Sequence, residues 1–222
     1  MIGVLTTIVL AACSDSSSDK NIETDKAKGQ KDHLVLALGS EPVDGFDPTT
    51  GWGRYGSPLF QSTLLTLDRN FNIQLDLATE FNISDDGKMW TVQIRDDVKF
   101  SDGKPLTVED VIFTFETAKN NHSVVDLQNL EKIEKLDSNT IQFTLKKPQS
   151  TFIYMLTMLG IVPEHAYSKN YNEKPIGSGP YKLVQWDKGQ QLIVEENPYY
   201  YGKKSPFKKL TFLFLSEDAA FL

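Results

Sequence analysis

Gly51-Trp52-Gly53-Arg54-Tyr55-Gly56 matches G-x-G-x-x-G, the spacing with which backbone amides cradle a dinucleotide pyrophosphate, and Asp76 follows about 20 residues after Gly56. That chemistry needs the glycines immediately after a strand. Here residues 39–50 intervene, with Pro42 and Pro48, and bulky Trp52 and Arg54 occupy a turn that should be lean. The stretch reads instead as a loop presenting Trp52, Arg54 and Tyr55. Two aromatic rings and a guanidinium suit a wall that stacks on and pairs with a peptide-like ligand. Gly177-Ser178-Gly179-Pro180 is not G-x-S-x-G, and Pro180 blocks a helix after the serine, so Ser178 reads as a turn residue. His33, His122 and His165 show no metal-ligand spacing. No P-loop, HExxH or CxxC occurs, and the pairs Lys203-Lys204 and Lys208-Lys209 are too short for a nucleic-acid patch. Nothing specific supports catalysis, a metal or a cofactor.

Cys13 is the single cysteine, so no intrachain disulfide forms. Residues 1–12, MIGVLTTIVLAA, are apolar and uncharged, as long as a signal-peptide core and too short to span a bilayer. With Leu10-Ala11-Ala12 before it, Cys13 looks like the lipidation site of a bacterial lipobox, where acyl chains on the thiol anchor the chain. One departure stands out: no Lys or Arg opens the segment. Residues 14–32 contain one apolar residue, Ile22, beyond a single alanine and no aromatic, which reads as a disordered tether.

The elements that must position these residues belong to a globular domain over 33–222. The chain has 222 residues, 40% hydrophobic and 24% charged, enough apolar material for a sizeable core. A net charge of -7 argues against nucleic acid as a partner and gives no attraction to anionic lipid. Leu34–Leu38 is a continuous apolar run, as in a strand buried on both faces. Residues 57–67 predict a helix opening at Pro58. Trp90, Val92 and Ile94 alternate as a half-buried strand after the turn at residues 85–88. Thr107 caps the clearest helix, with Val108, Val111, Ile112, Phe115 and Ala118 on one face. Residues 130–136 and 141–145 read as a hairpin, 152–159 as a short apolar helix, and Pro163 as the start of a helical turn. Strands follow near 181–186, 192–195 and 210–215, and 217–222 resembles the first turn of another helix. Hairpins with helices between them predict an α/β or α+β lobe.

Several blocks in register resemble one family. Residues 100–111, FSDGKPLTVEDV, are similar to the signature of the family 5 extracellular solute-binding proteins. Residues 84–92 with 95–100 resemble the stretch before it; GIVPEHAY at 160–167, PIGSGPY at 175–181 and NPYYYGKK at 197–204 follow in the family's order. The resemblance implies a type II periplasmic-binding-protein fold, here one lobe of mixed sheet and flanking helices, with the second lobe missing. It implies a solute-binding lipoprotein in the cell envelope, on the outer face of the cytoplasmic membrane, that captures peptides between two lobes and delivers them to the permease of an ABC importer. A nickel or metal-chelate receptor of the same family stays open, as do other solutes. Chelate-binding members resemble one another in an arginine just before the proline turn, and residues 151–162 here hold no basic residue. The cleft wall is expected from Trp52, Arg54, Tyr55, Met155 and Leu159. Beside the binding module, a surface hydrolase lacks a visible catalytic constellation, and a non-transporting surface lipoprotein is the third class.

Overall fold

The computed structural model describes residues 32–53, 59–121 and 125–215. The lipobox and Cys13, residues 1–31 of the leader and tether, Arg54, Tyr55, His122 and the helical turn read at 217–222 lie outside them. The described chain runs β1 (His33–Leu38), a 3-10 turn (Pro48–Thr50), β2 (Leu65–Leu67), β3 (Ile73–Leu75), β4 (Ala78–Ile83), β5 (Met89–Ile94) and α1 (Val108–Asn120). It continues with β6 (Leu130–Lys135), β7 (Thr140–Leu145), α2 (Phe152–Met158), a second 3-10 turn (Glu164–Ala166), β8 (Tyr181–Asp187), β9 (Gln191–Glu196) and β10 (Lys209–Phe214).

Two four-stranded sheets organise the lobe. One is antiparallel throughout, ordered β4-β5-β7-β6. Its inward residues Trp90, Val92, Ile94, Ile141, Phe143 and Leu145 meet Val111 and Phe115 of α1 and Phe152 and Leu156 of α2 in the larger core. Alternation alone decides this face: Thr91, Gln93, Gln142 and Thr144 point the other way. The other sheet is mixed, ordered β1-β10-β9-β8, with β1 and β10 parallel. It packs Leu192, Val194 and Leu210 against Phe46 and Phe60 in a smaller core.

Two expectations fail. Residues 59–64 are not helical, and 65–67 form β2. Their carbonyls serve distant partners: Phe60 accepts from the Gly179 amide at 2.8 Å, Ser62 from Ile161 at 2.9 Å, and Leu64 from Ala78 at 2.9 Å. Phe60 enters the smaller core while Leu64 and Leu65 enter the larger. An extended chain can feed two cores on opposite sides; one helical face cannot. The second failure is β1, which is not buried on both faces: Val35 is 51% exposed and Leu38 41%. It is an edge strand with β10 as its one neighbour among the described residues.

On α1 the buried set includes Asp110 and Thr114, while Ile112 is half-buried. Asp110 closes a capping box, its Oδ2 accepting from the Thr107 amide at 2.8 Å and the Thr107 hydroxyl at 2.9 Å. The Thr114 hydroxyl accepts from the Val162 amide at 3.0 Å. The helix therefore packs on the sheet with one side and on residues 161–164 with the other. The loop after β9 is fastened across both sheets. Buried Asn197 donates to the Gly179 carbonyl, and Tyr201 donates to Asp76 under the Arg95 guanidinium, which lies 4.4 Å from the ring. Burial raises the Asp76 carboxyl and pushes the Tyr201 phenol well up, which keeps that hydroxyl a donor.

Candidate functional site

Asp47 is the N-cap of the first 3-10 turn, with Pro48 at its start, where proline's missing N–H costs nothing. Its side chain is 6% exposed. Oδ1 accepts from the Thr49 amide at 2.8 Å and the Thr49 hydroxyl at 2.9 Å, and Oδ2 accepts from the Tyr167 hydroxyl at 2.8 Å. Asn121, at the end of α1, donates to the Thr49 hydroxyl at 3.1 Å. Three segments far apart in sequence thus meet in one polar network. Burial raises the Tyr167 phenol, so it remains protonated as a donor.

The turn carries Trp52. Its amide donates to the Asp47 carbonyl at 3.1 Å, and its ring stands edge-on to Phe46 with centroids 4.9 Å apart. Gly51 and Gly53 flank it with φ of 123° and 79°, which favour glycine. The indole nitrogen is buried and without a partner among the described residues. Beside the turn lies an open cleft of about 660 Å³ lined by Val43, Asp44, Asp47, Thr50, Tyr167 and Lys169, among others. Its lining mixes apolar surface with hydroxyl groups and both signs of charge, from Asp44, Asp47 and Lys169.

Of the five expected ligand residues, Trp52 is half-buried at this turn, while Arg54 and Tyr55 lie beyond the described part of the loop. Met155 is half-buried against the larger core, and Leu159 is fully buried within it. Leu159 is a packing residue with no surface for a ligand, because α2 turns its apolar face to the sheet. The structure brings neither of these to Trp52, which packs in the smaller core. Asp47, Thr49, Asn121 and Tyr167 were not legible as a site. Asp47-Pro48 is an N-cap signal, but nothing local announces its distant partners. Among the described residues no cluster of three His, Cys, Asp or Glu side chains is placed to hold a metal ion, and no helix is long and apolar enough to cross a membrane.

His165 faces Asp102 at 2.7 Å, joining the second 3-10 turn to the turn at residues 101–104. Partial burial pushes the Asp102 carboxyl up, but the hydrogen bond to His165, the Lys104 amide and nearby positive charge outweigh it and hold the group below its ordinary range. A carboxyl depressed in the folded state adds stability above its unfolded value near ~3.9, lost as pH falls through the folded one. Both side chains are about a quarter exposed, so the contribution is under ~1 kcal/mol. Urea denaturation between pH 2 and 7 should show Asp102→Asn less stable above pH ~4 and converging with the parent below it; parallel curves across the range would exclude this pairing as a source of acid sensitivity.

Residues 72–222 match the family described as bacterial extracellular solute-binding proteins, family 5 Middle. The chain is 32% identical over 86% of its length to the probable D,D-dipeptide-binding periplasmic protein DdpA of Escherichia coli, covering 40% of that protein. It is 31% identical over 92% of its length to the oligopeptide-binding protein AppA of Bacillus subtilis, covering 41% of it. Among solved structures, NikZ from Campylobacter jejuni in complex with Ni(L-His) superposes with a TM-score of 0.77 at 30% identity, over 83% of this chain and 39% of that one. AppA in complex with a nonapeptide gives 0.74 at 27%, over 82% and 40%. The chain spans about two fifths of the length of these relatives. The fold is that of type II periplasmic-binding-protein-like proteins, and the family is one of binding proteins, not enzymes. With 151 of 222 residues matched by its model, this chain belongs to the family 5 bacterial extracellular solute-binding proteins.

Proposed function

We propose that this polypeptide is the front part of a peptide-binding receptor serving an ABC importer. It is held in the cell envelope by a lipid on Cys13 and forms one wall of a cleft that a second lobe closes. The observation that supports the reading is the buttressed turn at residues 47–53, which bears the half-buried Trp52 against Phe46 and lends Asp47 and Thr50 to an open cleft shared with Tyr167. A ring flanked by glycine backbone offers stacking and main-chain contact, suiting a ligand whose constant feature is its own backbone. Residues 151–162 lack a cation that would face a chelate's carboxylates, and this favours peptide over nickel chelate. Titration calorimetry of the whole protein with di-, tri- and nonapeptides, and in parallel with nickel–L-histidine, is the test. Saturable heat is expected with peptides only. Heat with the chelate alone would transfer the assignment to metal uptake, and heat with neither would remove the solute-binding reading.

A further inference from the structure

Residues 161–167 run from the larger core to the cleft and are pinned along the way. The Ile161 amide donates to the Ser62 carbonyl at 2.9 Å, the Val162 amide to the Thr114 hydroxyl at 3.0 Å, and the Glu164 amide to Asp110 Oδ1 at 2.9 Å. His165 Nε2 meets Asp102 Oδ2 at 2.7 Å, and its ring stands edge-on to Phe100 with centroids 5.8 Å apart. Tyr167 donates to Asp47 Oδ2 at 2.8 Å, lies 2.7 Å from the Thr49 hydroxyl, and lines the cleft. In this set of links the imidazole is the one group of a type whose charge ordinarily changes between pH 5 and 8.

We infer that the His165–Asp102 contact is a pH-set latch on the cleft wall, tight when the imidazole is charged and slack when it is neutral. A charged imidazole donates to the carboxylate as an ion pair; a neutral one makes an ordinary hydrogen bond, roughly half as strong. The latch therefore holds below the titration of the imidazole and weakens as pH rises through it. At the acid end Asp102 decides: its carboxyl is held below the ordinary range, so the anion persists well below pH 5. The other charged groups nearby are divided in sign. Lys104 shares the turn of Asp102, its amide donating to Oδ1 at 3.1 Å, and the Tyr199 ring lies against Gly103 with the Lys99 ammonium 6.0 Å from its centroid. Glu164 adjoins His165, and Asp110 reaches the same turn from α1. Asp102, in direct contact, dominates among them. His165 and Tyr167 flank Ala166, so a slack His165 frees the segment that aims the Tyr167 hydroxyl at Asp47. Asp47 in turn holds the Thr49 amide with its side chain and the Trp52 amide with its carbonyl. Every link lies within the described residues, and none depends on which solute the cleft takes.

Hydrogen exchange of the 222-residue polypeptide between pH 5 and 8 is the test, read as protection factors so that the intrinsic pH dependence of exchange drops out. Protection at the Thr49 and Trp52 amides should fall ~3-fold across that range relative to the amides of β5 and β7. His165→Gln keeps a donor but cannot take a charge, and should hold protection at its pH 8 level throughout. Asp102→Asn removes the charge of the other partner and should flatten the profile in the same way, which supplies a second reading should the first variant fold poorly. Nuclear magnetic resonance of the imidazole should place its titration midpoint where the protection changes. A flat profile in the parent protein overturns the inference. So does a profile that persists in His165→Gln, because it then belongs to another titrating group such as His33 or His122.

Discussion

Gly177→Ala is expected to be the most damaging small substitution in this lobe. A Cβ built there would lie 2.0 Å from the Phe60 carbonyl oxygen and 2.6 Å from its carbon. Both atoms are main chain in a buried segment, and the Phe60 carbonyl is already held at 2.8 Å by the Gly179 amide of the same loop, so neither has room to give way. Gly177 does not have a positive φ, so glycine is required here for space and not for conformation. Gly179, two residues on, meets the same segment less severely, at 2.8 Å. Between them, buried Ser178 accepts from the Ser62 amide at 3.3 Å. Overpacking against fixed backbone costs more than ~3 kcal/mol, enough to leave much of a marginally stable domain unfolded. Gly189→Ala is the control. It has open space around it and a φ of 74°, so it bears only conformational strain, about 1–2 kcal/mol. Urea midpoints for the two variants settle the point: equal losses would mean that the close approach at Gly177 relaxes freely.

That prediction also shows what the sequence could and could not reveal. Where an element buries one face against one core, the period exposed it. Trp90, Val92 and Ile94 alternate with polar residues because a single face of β5 is covered, and the β6–β7 hairpin was legible from Asp137-Ser138-Asn139 between two alternating runs. Residues 59–64 serve two cores and the Gly177–Gly179 loop at once, so their apolar residues follow neither period and mimic a helix. In β1 the apolar run correctly marked a strand, but composition does not say whether a second layer is present to cover it. The PIGSGPY block carried the family resemblance, yet its physical reason, glycines pressed on the Phe60 backbone, is a tertiary fact. The cleft was half legible: Trp52 in its glycine-flanked turn was, whereas the Tyr167–Asp47 contact spans 120 residues and leaves no local trace.

Asp110→Ala is the second substitution expected to cost heavily, and it connects the family's FSDGKPLTVED stretch to the cleft. The carboxylate is 5% exposed and accepts three hydrogen bonds: two from Thr107 and one, at 2.9 Å, from the Glu164 amide. Alanine removes the cap of α1 and strands two backbone donors, those of Thr107 and Glu164. Lost capping is worth ~1 kcal/mol and each stranded buried donor ~1–3 kcal/mol, so a loss of about 3 kcal/mol is expected. Glu109→Ala, one residue away, breaks only an exposed pair with Lys135 and should stay within ~1 kcal/mol. Asn at 110 keeps one acceptor and should fall between the two. The effect should also be directional. Glu164 opens the 3-10 turn that leads to Tyr167, so releasing its amide loosens the donor that holds Asp47 and, through it, the turn bearing Trp52. Hydrogen exchange should therefore quicken at the amides of Thr49 and Trp52 in Asp110→Ala more than at those of β5 and β7. Uniform acceleration across the lobe would mean that the carboxylate stabilises the fold without positioning the cleft.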